Sequence, residues 1–70
     1  MSDITAPMRG KIFKILVNVG DSLAEDDEVV VLDSMKMEIS VYSPGEGTVR
    51  EIKVEVGETV EAEAVLITLD

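Results

Sequence analysis

Slid against itself by 37 residues with no gap, the chain pairs Pro7 with Pro44, Gly10 with Gly47, Ile15 with Ile52, Val17 with Val54, Val19 with Val56, Gly20 with Gly57, Leu32 with Leu69 and Asp33 with Asp70. These eight identities among 33 aligned pairs come with close substitutions, among them Ile4 with Val41, Ile12 with Val49 and Asp21 with Glu58. A duplicated unit, with half-repeats at about 4–33 and 41–70, is the economical explanation. Both copies must then take one fold, and each must bury its apolar face against something. In a chain of 70 residues, read as a single domain over 1–70, the other copy is what is available.

The unit reads as strands. Asp3 to Ala6 is a short extended segment stopped by Pro7, and Val41-Tyr42-Ser43 stopped by Pro44 repeats it. Thr48 to Val54 alternates, with Val49, Ile52 and Val54 apolar, but Arg50 and Glu51 are two polar residues in a row. A slip of one residue in the alternation is what a β-bulge produces, and the first copy carries it at Phe13 and Lys14. Asn18 to Leu23 and Glu55 to Val60 are matched turns in which Gly20 and Gly57 supply positive φ. The acids of Glu25 to Glu28 favour a solvated loop, since no helical periodicity follows them. Val29 to Leu32 and Val65 to Leu69 are apolar runs of strand length. About six main strands, short bridging strands and no helix predict an all-β fold: two small antiparallel sheets closing as a flattened barrel or sandwich with quasi-twofold symmetry.

Composition removes several functions. One Phe, one Tyr and no Trp leave an aliphatic core, whose stability margin in so short a chain is on the order of a few kcal/mol. No His and no Cys are present, which takes away the usual general base, the thiolate nucleophile and the commonest metal ligands. Asp26-Asp27-Glu28 are adjacent loop acids without the spacing of a calcium loop, so neither a metal site nor a catalytic residue is assigned. A net charge of -9 opposes nucleic acid and anionic lipid as partners. No apolar run approaches a membrane span, and Met1-Ser2-Asp3-Ile4 lacks the basic start of a signal peptide. A cytoplasmic location is the expectation.

The join between the copies, 34–38, is the turn that links one copy to the other, the tip of a hairpin at the opposite end from the termini. It holds Ser34-Met35-Lys36-Met37-Glu38. A surface lysine is ordinarily just a solvated charge, but two methionines in a tight turn cannot both reach the core. Exposed thioethers beside a lysine form a small adaptable platform for another protein to grip.

The order Ala6-Pro7-Met8-Arg9-Gly10, Val19-Gly20-Asp21, Ser34-Met35-Lys36-Met37, Val41-Tyr42-Ser43-Pro44 and Glu46-Gly47-Thr48-Val49 resembles the biotinyl carrier domain of biotin-dependent carboxylases. It is most similar to the thumbless carriers of pyruvate carboxylase and the acyl-CoA carboxylases, and the resemblance spans essentially the whole chain. It implies the biotinyl/lipoyl barrel-sandwich hybrid, with biotin in amide linkage to Lys36 and with Met35 and Met37 recognised by the ligase. The implied partners are a biotin protein ligase, a biotin carboxylase that loads carboxylate, and a carboxyltransferase that unloads it. Related lipoyl domains carry Asp-Lys-Ala at the tip, so the methionines favour biotin. A lipoyl-type acyl carrier and an unmodified barrel scaffold remain the alternatives.

Two features depart from the family pattern: Asp33 and Ser34 stand where Glu and Ala are commoner, and Asp26 and Glu63 stand where Gly is usual. Asp tolerates a left-handed backbone, whereas Glu63 predicts a rearranged or slightly strained turn. Acylation needs a neutral amine, and a lysine in water is protonated at pH 7. With no suitable base in the chain, activation falls to a separate enzyme. The domain is thus expected to be that enzyme's substrate and no enzyme itself.

Overall fold

The computed structural model describes residues 3–70, so that Met1 and Ser2, at the start read for a targeting segment, lie outside the described residues. The described residues form eight strands: β1 (Asp3–Thr5), β2 (Gly10–Ile15), β3 (Ser22–Leu23), β4 (Glu28–Ser34), β5 (Met37–Tyr42), β6 (Gly47–Ile52), β7 (Thr59–Val60) and β8 (Val65–Leu69). Six are of ordinary length and two are bridging pairs of residues. No helix long and apolar enough to cross a membrane is present among them.

Two four-stranded antiparallel sheets result, ordered β1-β8-β6-β3 and β5-β4-β2-β7. A shift of 37 residues turns one order into the other, strand for strand. Each sheet therefore takes two strands from each half. The turns follow the same exchange. Gly20 N–H donates to Val49 O and Gly57 N–H to Ile12 O, both at 2.8 Å. In return Val49 N–H donates to Asp21 O and Ile12 N–H to Glu58 O. Positive φ at Gly20 and Gly57, 95° in both, lets the chain reverse where each half meets the other's strand.

Both expected bulges are present. The β2–β4 register slips between Ile12 and Lys14, and the β6–β8 register slips between Val49 and Glu51. Phe13 and Arg50 are the extra residues. Inward, the two halves match position for position. Ile4 with Val41, Ile12 with Val49, Val17 with Val54, Leu23 with Val60, Val29 with Leu66, Val30 with Ile67 and Leu32 with Leu69 are all buried in one cluster. Ala6 is matched by Ser43, whose buried hydroxyl is satisfied by donating to Gly45 O at 2.6 Å. A core built this way is aliphatic and contains no aromatic ring.

The turns at Asp26 and Glu63 decide between the two readings of Glu63. Both residues have φ 69°, and the bonds around them correspond: Asp26 N–H to Ser43 O and Ser43 N–H to Asp27 O, against Glu63 N–H to Ala6 O and Ala6 N–H to Ala64 O. The Glu63 turn is not rearranged. Two backbone bonds to the neighbouring segment hold it left-handed, and the cost of a side chain there is absorbed as strain.

Candidate functional site

Antiparallel pairing of β4 and β5 runs through Leu32↔Ile39, Asp33↔Glu38 and Ser34↔Met37. The turn is accordingly shorter than 34–38. It consists of Met35 and Lys36 alone, and Met37 and Glu38 already belong to β5. A two-residue loop between twisted strands favours positive φ at both positions, and Met35 and Lys36 have φ of 50° and 69°. Asn-Gly or Asp-Gly is the sequence such a turn prefers. Methionine and lysine each cost about 1–2 kcal/mol in that conformation. A sequence that places them there gives up turn propensity for what their side chains offer.

The hairpin is anchored from below. Ser34 Oγ donates to Arg9 O at 3.1 Å, which ties the base of the turn to the Pro7–Gly10 segment. A Cβ on Gly10 would stand 3.2 Å from Asp33 O and 3.5 Å from the Ser34 Cβ, so β2 lies this close to β4 because position 10 has no side chain. Arg9 Nε pairs with Glu61 Oε2 at 3.0 Å across the surface, a contact that adds little energy in water. One register layer below the turn, Lys11, Asp33 and Glu38 lie side by side across three strands.

Above this base the turn stands clear. Met35 is 92% exposed, Met37 is 65% exposed, and Lys36 between them is exposed as well. Among the described residues there is no enclosed cavity beside it and no group of His, Cys, Asp or Glu arranged to hold a metal ion. The other lysines differ in setting: Lys11 and Lys14 are in β2, and Lys53 pairs with Glu51 at 3.0 Å. An amine that clears the surface on a braced two-residue turn can enter an active site of another protein, which is what covalent loading of a prosthetic group requires. The donor set fits an amide linkage and offers nothing to a metal. The structure places Lys36, Met35 and Met37, singled out in the sequence, together at the exposed end of the hairpin; the Ser34–Arg9 brace was not legible, since a serine at a strand end carries no signal of a bond to a backbone 25 residues away.

A sheet pair exchanged between two half-repeats, with one lysine displayed on the hairpin that joins them, defines the class of small post-translationally loaded carriers. The comparisons give the family. The biotin/lipoyl family model, described as "Biotin-requiring enzyme", matches residues 2–69, and the chain belongs to that family. It is 47% identical over 64 residues to a biotin carboxyl carrier protein of Streptococcus mutans, covering 91% of this chain and 49% of that protein. Identity is 40% over 67 residues to the mitochondrial pyruvate carboxylase of Mus musculus, 96% of this chain and 6% of that one. A biotin/lipoyl attachment protein of Bacillus subtilis is 36% identical over 66 residues, with 94% and 90% covered. The crystal structure of Kluyveromyces lactis urea carboxylase contains the fold at a TM-score of 0.92 and 26% identity, over 99% of this chain and 6% of that chain. The chain thus spans about half the length of the Streptococcus mutans protein and a small part of the carboxylases.

Proposed function

We propose that this chain is a biotin carboxyl carrier, holding biotin in amide linkage on Lys36 and moving carboxylate between a loading and an unloading site. One observation carries the reading: Lys36 stands exposed on a left-handed two-residue turn between two exposed methionines. Biotin bound there would supply the ring that takes up and gives up carboxylate. The chain's own residues present it. Ser34 and Gly10 fix the base of the hairpin, so the side chain of Lys36 swings from a defined point. A tethered group visits successive sites at high effective concentration without dissociating.

Attachment is the work of another protein, a biotin protein ligase. As the amide forms, the Lys36 nitrogen gives its electron pair to an activated acyl carbon and loses its proton to a base of the ligase, while the activating group leaves. Met35 and Met37 give that ligase an apolar grip on either side of the amine. Biotin carboxylase and a carboxyltransferase are the proposed partners at the two sites. The name of the Bacillus subtilis relative, a biotin/lipoyl attachment protein, keeps a lipoyl-type acyl carrier as the second reading.

Co-expression with a biotin protein ligase, read by intact mass and peptide mapping, tests the assignment. One biotinyl group on Lys36 is expected, and none on Lys36→Arg, whose fold stays intact. Biotin on Lys11, Lys14 or Lys53, or a lipoyl mass in its place, overturns it. Met35→Asp with Met37→Ala should slow biotin loading and favour lipoylation. Unchanged loading would show that the ligase reads the barrel and ignores the methionines.

A further inference from the structure

The outer faces of the two sheets differ at equivalent positions. On the sheet that carries the Lys36 turn, Phe13, Leu16, Val31 and Tyr42 point outward by register and alternation. Their mates in the other half are Arg50, Lys53, Thr68 and Thr5. All four positions are apolar or aromatic on one sheet and polar on the other. Phe13 is 43%, Leu16 47% and Tyr42 54% exposed, while Val31, outward between Lys14 and Ser40, is 7% exposed and lies outside the central core cluster. Val65, the mate of Glu28, runs the other way. The other sheet builds the same bulge and the same ladder with polar residues at these four positions. The fold therefore does not require apolar ones. Apolar residues gathered on one outer face that folding does not require mark a contact surface.

Charge selects the occupant. Around the patch stand Glu28, Asp33 and Glu38, with Glu25, Asp26 and Asp27 in the loop that leads into β4, against Lys11 and Lys14. Glu28 accepts a hydrogen bond from Ser40 Oγ at 2.5 Å, and Lys14 Nζ lies 5.5 Å from the Phe13 ring centroid. The ion pairs Lys53–Glu51, Arg50–Asp70 and Arg9–Glu61 are off this face, so its acids keep their field. A second copy would set these acids against themselves in a chain of net charge -9. The fitting surface has an apolar centre and a basic rim. Strands β4 and β5 run from this face directly into the Met35–Lys36 turn, so a protein seated on the face holds Lys36 at a fixed distance from its own surface. An enzyme that handles a carboxylate precursor must attract anions, and positive charge around its entrance is the simplest means.

We infer that the outer face formed by Phe13, Leu16, Val31 and Tyr42 docks the enzyme that loads the carboxylate, a biotin carboxylase, through an apolar contact ringed by basic side chains. This rests on the carrier reading above. The test transplants the other sheet's outward residues: Phe13→Arg, Leu16→Lys, Val31→Thr and Tyr42→Thr in one biotinylated chain. A purified biotin carboxylase that accepts the wild-type biotinylated domain is the probe, with uptake of radiolabelled bicarbonate as the readout. KM for the transplanted domain should rise about tenfold or more, the scale of losing one or two central anchors, with kcat little changed. Wild-type KM should rise with added NaCl, and Arg50→Ser with Lys53→Ser on the opposite face should leave it unaltered. Ligase loading of Lys36 stays normal throughout.

An unchanged KM in the folded transplant overturns the inference. A rise confined to the unloading reaction assigns the face to the carboxyltransferase and overturns it equally. If the fourfold variant does not fold, Leu16→Lys with Tyr42→Thr, at exposed positions, takes its place under the same criteria. A wild-type domain that takes no biotin, or is not carboxylated once it has, removes the carrier reading itself, a result visible before any variant is made.

Discussion

Residues 4–33 and 41–70 meet the same packing problem with the same inward residues and different outward ones. Leu32 and Leu69 are both buried, Val30 and Ile67 likewise, and Gly20 and Gly57 share one backbone conformation. Outward, Phe13 faces the solvent where the second half has Arg50, and Val31 stands where it has Thr68. Inward positions answer to the barrel, which both halves share. Outward positions are free of that constraint, and there the two faces differ.

Several substitutions probe how far this equivalence extends. The largest effect belongs to the shared core: Leu32→Ala and Leu69→Ala should each cost about 2–5 kcal/mol, enough to unfold much of so small a domain. Urea denaturation of the two variants should give similar losses. A mild result at one leucine alone would mean that the halves do not share the core evenly. Thr68 comes next, because its buried Oγ1 has no partner among the described residues while its mate is Val31. Thr68→Val should raise stability by about 1 kcal/mol, since an unpaired hydroxyl is replaced by a methyl of similar size. A lower Tm would show that the hydroxyl is paired after all.

The turns at 26 and 63 give the finest comparison. With φ of 69° in both, Glu63→Gly should stabilise by up to about 1 kcal/mol and Asp26→Gly by a few tenths, because Asp tolerates the left-handed region better. Differential scanning calorimetry that ranks the two in the opposite order would point to the side chains, and not the backbone, as the source of the difference.

Much of this architecture was legible in the sequence because a repeat states each instruction twice. The bulge was readable from Arg50-Glu51, where alternation breaks cleanly, and could then be carried to Phe13-Lys14, where it is obscured. Lys36 stood out by lying in the one segment that the repeat does not duplicate. Legibility failed where conformation runs against propensity. Nothing in Met35-Lys36 announces a left-handed pair, so the turn read as 34–38 until strand pairing narrowed it. Glu63 signalled a rearranged or slightly strained turn without saying which, and two hydrogen bonds from distant backbone hold it in the strained form. The burial of Val31 on an outer face depends on its neighbours across the sheet, which local pattern does not encode.

The exchange of strands between the sheets makes closure a property of the pair. β1 and β3 pair with β8 and β6, and β5 and β7 pair with β4 and β2. One half by itself would expose unpaired strand edges and a bare aliphatic face, whereas two separate copies of one half carry every partner that the closed barrel uses. The duplication thus makes each half the other's missing partner within one chain. The hairpin bearing Lys36 is the covalent link between those partners, so the residue offered outward stands at the join.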